Sequence, residues 1–232
     1  MPSTPRTGNR LLDCLVQREA ALAADIKISP SEAGRQIYQP GGLMPAVYFP
    51  TGGVVSLIVR LSTGESAEVA TVGSEGLVGL HAVLRVRRSP LLAVQQLPGE
   101  LAQLPTARLL RAMQSNDRLL ASLSCYTAYS MRAAYQTAAC NALHRLEART
   151  VRWLLMTADR AGGAELDLTQ QMLADMLGVG RQSVNEIASR FQRTGLIEYR
   201  RGHVTILQRE RLERVACECY FALRDYYEDL MG

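Results

Sequence analysis

The chain has 232 residues, 47% of them hydrophobic and 21% charged, the balance of a globular protein with room for one large domain or two modest ones. No run of about 18 uninterrupted apolar residues occurs, which argues against a membrane span, and "LLDCLV" after Arg6 and Arg10 is too short and interrupted for a secretion signal. A cytoplasmic protein is expected, and its net charge of +4 is too small to indicate an anionic partner by itself.

Lys27 is the only lysine among the 26 basic residues. Arginine suits bidentate contact with phosphate and guanine, although a GC-rich genome produces the same bias without any function. The five cysteines (Cys14, Cys125, Cys140, Cys217, Cys219) contain no C-x-x-C pair, and His81, His144 and His203 are scattered. This spacing predicts free core thiols and no metal. Cys125 and Cys140 fall on one helix about 22 Å apart, too far to pair within the chain. No nucleophile–base pair stands out, and "GSEGLVG" lacks the lysine of a phosphate loop, so no catalytic residue is assigned and no enzyme is expected.

In chain order, residues 1–24 read as a polar tail turning into a short amphipathic helix, "RLLDCLVQREAALAAD". Residues 25–117 carry short β-branched runs punctuated by glycine turns, the texture of a β-barrel or jelly roll. Within them "VSLIVRL", a turn at Gly64 and "SAEVATV" form a hairpin signal, and "LLAVQQL" and "ELAQLP" give further strands. A helix, "TARLLRAMQSN", follows Pro105, and a longer one spans 118–141. On the longer helix Leu119, Leu123, Tyr126, Ser130, Ala133, Thr137 and Cys140 alternate by four and three, the spacing of a coiled-coil seam. That spacing predicts a dimer interface, with packing on the chain's own barrel as the alternative. A third helix, "ALHRLEARTVRWLLMTADRAGG", holds the only tryptophan, Trp153, and stops at Gly162 and Gly163.

Residues 142–232 end the chain with the strongest local signal. "LDLTQQMLADMLG" has a Thr169 cap and an apolar face of Met172, Leu173, Met176 and Leu177. Gly178-Val179-Gly180 turns the chain into "RQSVNEIASRFQRTG", whose Val184, Ile187 and Phe191 share one face. "LIEYRRGHVTIL" then reads as two strands around Arg201-Gly202, followed by a C-terminal helix from about Gln208. Helix, turn, helix and hairpin make a winged helix-turn-helix. Arg181, Gln182, Asn185 and Glu186 are left free to read base edges in a major groove. Arg190, Arg193, Arg200 and Arg201 are expected at phosphates. Five arginines against two acids between 181 and 203 make a local basic patch.

Over about residues 25–230 the sequence resembles the Crp/Fnr family of transcription regulators, most closely in "LTQQMLADMLGVGRQSVNEIASRFQRTGLI". The resemblance implies an α+β chain: a β-roll (jelly-roll) sensor domain, a long dimerisation helix, and a winged helix-turn-helix DNA-binding domain. It implies a homodimer on a palindromic operator of double-stranded DNA, contact with RNA polymerase, and no membrane partner. By position, Arg181, Gln182 and Glu186 fall where members read bases, and Ser183 where a hydroxyl meets phosphate; Thr169 is counted with the backbone contacts. The catabolite activator has glutamate at the position of Gln182 and arginine at that of Glu186, so its operator is not carried over. Gly180 replaces a hydroxyl residue and removes one phosphate contact.

In the sensor domain the resemblance thins. Cyclic-nucleotide binders carry Gly-Glu and then Arg-Ser/Thr-Ala, whereas this chain offers Glu75 and then Arg88-Ser89-Pro90 at longer spacing, with Ser74 in the glycine's place. Glu75, Arg88 and Ser89 are the candidate effector pocket, with Tyr135 and Gln136 where a base would sit. Cys14 stands alone where an iron–sulfur cluster needs a group, and His81 is a lone histidine for a haem. The expected cofactor set is therefore empty: no cyclic nucleotide, haem or iron–sulfur cluster. The competing reading is a ligand-binding module, for cyclic nucleotide or haem, that acts on a protein partner.

Overall fold

Asn9 opens the first helix and fastens it to the rest of the chain. In the computed structural model, which describes residues 6–231, its Oδ1 accepts from the Leu12 amide at 2.9 Å. Its Nδ2 donates to the carbonyls of Pro50 and Gly76, both at 2.8 Å. Helix α1 (Arg10–Arg18) buries Leu11, Leu12, Leu15 and Val16. The single helix expected to Asp25 is in fact broken at Glu19, and a 3-10 turn covers Ala20–Asp25.

Seven strands follow: β1 (Lys27–Ser31), β2 (Gln36–Tyr38), β3 (Ala46–Pro50), β4 (Val54–Arg60), β5 (Ser66–Val72), then, after the short helix α2 (Leu80–Val83), β6 (Leu92–Leu97) and β7 (Gly99–Pro105). They form two antiparallel sheets, ordered β2-β6-β4-β5 and β1-β7-β3. The expected hairpin is β4–β5, pairing Arg60 with Ser66 and Val55 with Val72. Its turn needs Gly64, at φ 93°, because the left-handed region is costly for residues with a Cβ. Phe49, Val55, Leu101 and Leu104 build the core of this roll.

Helix α3 (Thr106–Ser115) leads into α4 (Asp117–Leu143), capped by Asn116, whose side chain accepts from the Leu119 amide. The residues of the expected seam are buried within the chain to different degrees. Leu119, Leu123 and Tyr126 are 0%, 1% and 3% exposed, packed into the chain's own core with Leu11 and Leu77. Fully burying such a side chain is worth about 1.5–3 kcal/mol, a gain these three make within the chain. Cys140 is buried as well, while Ser130, Ala133 and Thr137 are half-buried. The outward stripe is displaced by one residue and includes Leu120, Ser124, Met131, Ala134 and Ala138.

The backbone is extended at His144 and Arg145, which separates α4 from α5 (Leu146–Ala161). Then come β8 (Glu165–Asp167), α6 (Gln170–Leu177), α7 (Arg181–Arg193), β9 (Ile197–Arg200), β10 (His203–Ile206), α8 (Arg209–Arg214) and α9 (Glu218–Met231). The sequence reading missed β8, which completes a sheet ordered β8-β10-β9. Trp153, Leu173, Ile187 and Phe191 centre a second core, which Val54 and Leu97 of the roll also enter. Helix α9 bridges the two: Tyr220 lies in the second core and Tyr227 in the first. No helix among the described residues is long and apolar enough to cross a membrane.

Candidate nucleic-acid interface

Local rules place the second helix of the helix-turn-helix. Thr169 Oγ1 accepts from the Met172 amide at 3.2 Å and starts α6. Gly178, at φ 66°, ends it with its amide bonded back to Ala174 and Asp175. That left-handed residue forces the turn into α7. Val184, Ile187, Ala188 and Phe191 bury one face of α7. Arg181, Gln182, Asn185 and Glu186 are all exposed on the other, within its first two turns. Gln170 Nε2 donates to Asn185 Oδ1 at 3.2 Å, and Gln182 Nε2 to Glu186 Oε1 at 3.4 Å, which orders this polar face. Ser183 is half-buried at the edge of it.

The hairpin β9–β10 stands beside α7, held where Gln192 Oε1 accepts from the Tyr199 amide at 3.0 Å. The Tyr199 hydroxyl donates to the Leu168 carbonyl at 2.5 Å. Arg201 and Gly202 turn the hairpin at φ 46° and 86°, both positive as a tight two-residue turn requires. The arginines divide into two groups. Arg190 pairs with Glu147 at 2.5 Å and Arg200 with Glu198 at 2.7 Å, so part of their charge is neutralised within the chain. Among the described residues Arg181, Arg193 and Arg201 form no ion pair, and all three are exposed. The face is cationic at both ends and polar between them.

Residues 148–215 match the family model described as a Crp-like helix-turn-helix domain. The chain therefore carries a Crp-like helix-turn-helix domain. Its fold is similar to that of FixK2 from Bradyrhizobium japonicum, at 18% identity over 83% of this chain and 98% of that one, with a TM-score of 0.69. It is also similar to a CRP-family transcriptional regulator from Thermus thermophilus, TTHB099, at 23% identity over 82% and 96% of the two chains, with a TM-score of 0.66. A third similar structure is CLP of Xanthomonas campestris, described as a c-di-GMP-responsive global regulator, at 18% identity over 84% and 98%, with a TM-score of 0.64. No curated protein sequence matches the chain.

Where the roll and α4 meet the Crp-like domain, a mostly apolar cavity of about 350 Å³ lies between β5, α4 and α5. Glu75 and Ser89 both line it. Glu75, however, is held by Arg160 at 2.8 Å, and Ser89 Oγ donates to the Leu91 carbonyl at 2.7 Å. Arg88 instead donates to the Gly41 carbonyl at 2.6 Å. The cations facing the cavity are Arg152 and Arg160, both from α5. Tyr135 is 61% exposed, and Gln136 donates to Cys219 Sγ at 2.9 Å. His81 lines the cavity, and burial lowers its pKa.

One constellation escaped the sequence reading. Cys140, His144, Cys217 and Cys219 converge where α4 ends and α9 begins, their ligand atoms all within 4.8 Å of one another. Cys140 and His144 are four residues apart at the end of α4, and Cys217-x-Cys219 is a second pair; those two short spacings were the available signal.

Proposed function

We propose that this chain is a homodimeric, sequence-specific DNA-binding regulator of transcription, acting in the cytoplasm on a palindromic operator and on RNA polymerase. The observation that carries this reading is the exposed row of Arg181, Gln182, Asn185 and Glu186 at the N-terminal end of α7, above a buried Val184, Ile187 and Phe191. A helix N-terminus presented this way enters a major groove, where arginine pairs with guanine and glutamine with adenine. Arg193 and Arg201 contact phosphate; Arg190 and Arg200 can join them by exchanging intrachain carboxylates for DNA. Ser183 and Thr169 supply hydroxyls at the edge of the same face.

In this reading residues 25–117 sense a signal, α4 makes the dimer, and the segment from 142 binds DNA. The dimer seam is the outward stripe that begins at Leu120, not the buried one. The chain itself carries out no catalysis. Selection of bound sequences from random double-stranded DNA tests the reading: enrichment of an inverted repeat supports it. Failure of the intact chain to enrich any sequence, at low salt and with cell extract supplied, would refute it.

A further inference from the structure

We infer that Cys140, His144, Cys217 and Cys219 form a closed tetrahedral site for a single divalent ion of the zinc class. Zn–S and Zn–N bonds of about 2.3 and 2.0–2.1 Å at tetrahedral angles put ligand sulfurs about 3.8 Å apart, and sulfur and imidazole nitrogen about 3.6 Å apart. Cys140 Sγ and Cys217 Sγ are 3.7 Å apart. His144 Nδ1 lies 3.4 Å from Cys140 Sγ and 3.5 Å from Cys219 Sγ. Three of the six ligand pairs already stand at ligand spacing, and the other three lie within 4.8 Å.

The surroundings are those of a metal centre. His144 Nε2 is 3.2 Å from Glu218 Oε1, so the carboxylate can accept a hydrogen bond from Nε2–H, which keeps the proton on that nitrogen and leaves the Nδ1 lone pair for the ion. Gln136 Nε2 donates to Cys219 Sγ at 2.9 Å, the contact that orients a ligating thiolate. Three thiolates and a neutral imidazole around a divalent ion leave one net negative charge. Arg152, 6% exposed, forms no carboxylate ion pair among the described residues, and its Nη1 donates to Thr137 Oγ1 at 3.3 Å, one helical turn before Cys140. A buried cation so placed lowers the cost of that charge.

Ligand chemistry selects the ion. Three soft sulfurs and one imidazole in tetrahedral array favour zinc over magnesium, calcium or manganese, which take oxygen donors. The ligand atoms are too close together to be shared between the two metals of a two-iron cluster. Cys140, Cys217 and Cys219 are 0%, 7% and 1% exposed, and all four positions are filled by protein, so the ion is structural and has no open site for substrate. It ties the start of α9 to the end of α4, beside the extended residues from which the Crp-like domain departs. Binding releases the thiol protons, and the free energy of ligation goes into holding that junction.

The experiment uses the full chain, purified under reducing conditions after growth with added zinc. Elemental analysis should give about one zinc per chain, and replacement by Co²⁺ should give the visible bands of tetrahedral cobalt with thiolate ligands. Cys217→Ser and the half-exposed ligand variant His144→Gln should each lower metal content about tenfold or more. Cys125→Ser, on the same α4 helix but away from the cluster, should keep it whole. Circular dichroism separates loss of metal from loss of fold. As a second measure, Cys140, Cys217 and Cys219 in the unaltered chain should resist alkylation until a chelator is added. The inference is overturned if reduced, folded protein takes up no Zn²⁺ or Co²⁺. It is equally overturned if Cys217→Ser and His144→Gln bind as much metal as the unaltered chain.

Discussion

The Arg160 guanidinium on α5 meets the Glu75 carboxylate of the sensor roll with Nε 2.8 Å from Oε1, across 85 residues of sequence. Both side chains are nearly buried, at 9% and 13% exposure. Gly73 explains how they get so close: a Cβ there would lie 2.3 Å from Arg160 Cβ. Glu75 Oε2 also accepts from the Gly73 amide at 3.0 Å, and Arg160 Nη1 donates to Thr71 Oγ1 at 2.6 Å. The helix that carries the Crp-like domain is therefore bolted to the same loop that supplies the candidate effector glutamate.

Breaking that pair on one side should be expensive. Glu75→Ala leaves a buried guanidinium without its counter-charge, and a loss of about 3–5 kcal/mol is expected in urea unfolding. Glu75→Leu combined with Arg160→Met should recover most of it, since an apolar pair of similar volume carries no desolvation cost. Equal destabilisation of the single and double variants would show that packing, not charge, is what matters at this contact.

Glu68 makes stability depend on pH. It accepts from Trp153 Nε1 at 2.9 Å and from Ser56 Oγ at 2.5 Å, and burial pushes its pKa from 4.5 up to about 7. Below 4.5 it is protonated folded and unfolded alike and contributes nothing. Between 4.5 and about 7 the folded chain holds the extra proton, so stability falls as pH rises, by at most about 1.4 kcal/mol per pH unit from this group. Glu68→Gln keeps an acceptor for Trp153 and should flatten that slope in denaturant titrations at several pH values. A slope identical to that of the unaltered chain would assign the effect elsewhere.

The DNA face should separate readers from holders. Gln182→Ala is expected to relax preference at one base pair per half-site, worth about 1–3 kcal/mol of discrimination, with the salt dependence unchanged. Arg201→Ala should weaken all sequences alike and lower the salt slope by about 0.9 for each phosphate that is no longer neutralised. Binding to a set of operator variants at several salt concentrations distinguishes the two patterns, and their exchange would reverse the assignment.

The proposed dimer seam can be tested by neighbouring residues on α4. Leu120→Glu with Met131→Glu places charge on the outward stripe, where the two side chains are 43% and 50% exposed, and should give a folded monomer with much weaker operator binding. Leu123→Glu, in the chain's own core, should instead lower stability by several kcal/mol, because it buries an unpaired carboxylate. Sedimentation together with thermal unfolding reads both; a dimeric Leu120→Glu/Met131→Glu chain would move the interface off α4.

The helix-turn-helix was legible in the sequence because nearest-neighbour chemistry builds it. Thr169 caps α6, Gly178 turns the chain, and Val184, Ile187 and Phe191 repeat at helical spacing, so the exposed faces follow without knowledge of any distant contact. The β4–β5 hairpin was legible for the same reason, from alternation around Gly64. On α4 the same kind of pattern was ambiguous: the four-three alternation through Leu119, Leu123 and Tyr126 is matched one residue later by the stripe that begins at Leu120. A one-residue shift turns a helix by about 100°, and only the packing of α4 on the roll, α1 and α9 decided which stripe faces inward. Likewise Cys140 and Cys217 are 77 residues apart, and Arg160 and Glu75 are 85. No local propensity records such meetings, because they are created when the two cores close on α9 and α5. Composition and spacing determined what each segment is; the tertiary fold decided which side chains those segments bring together.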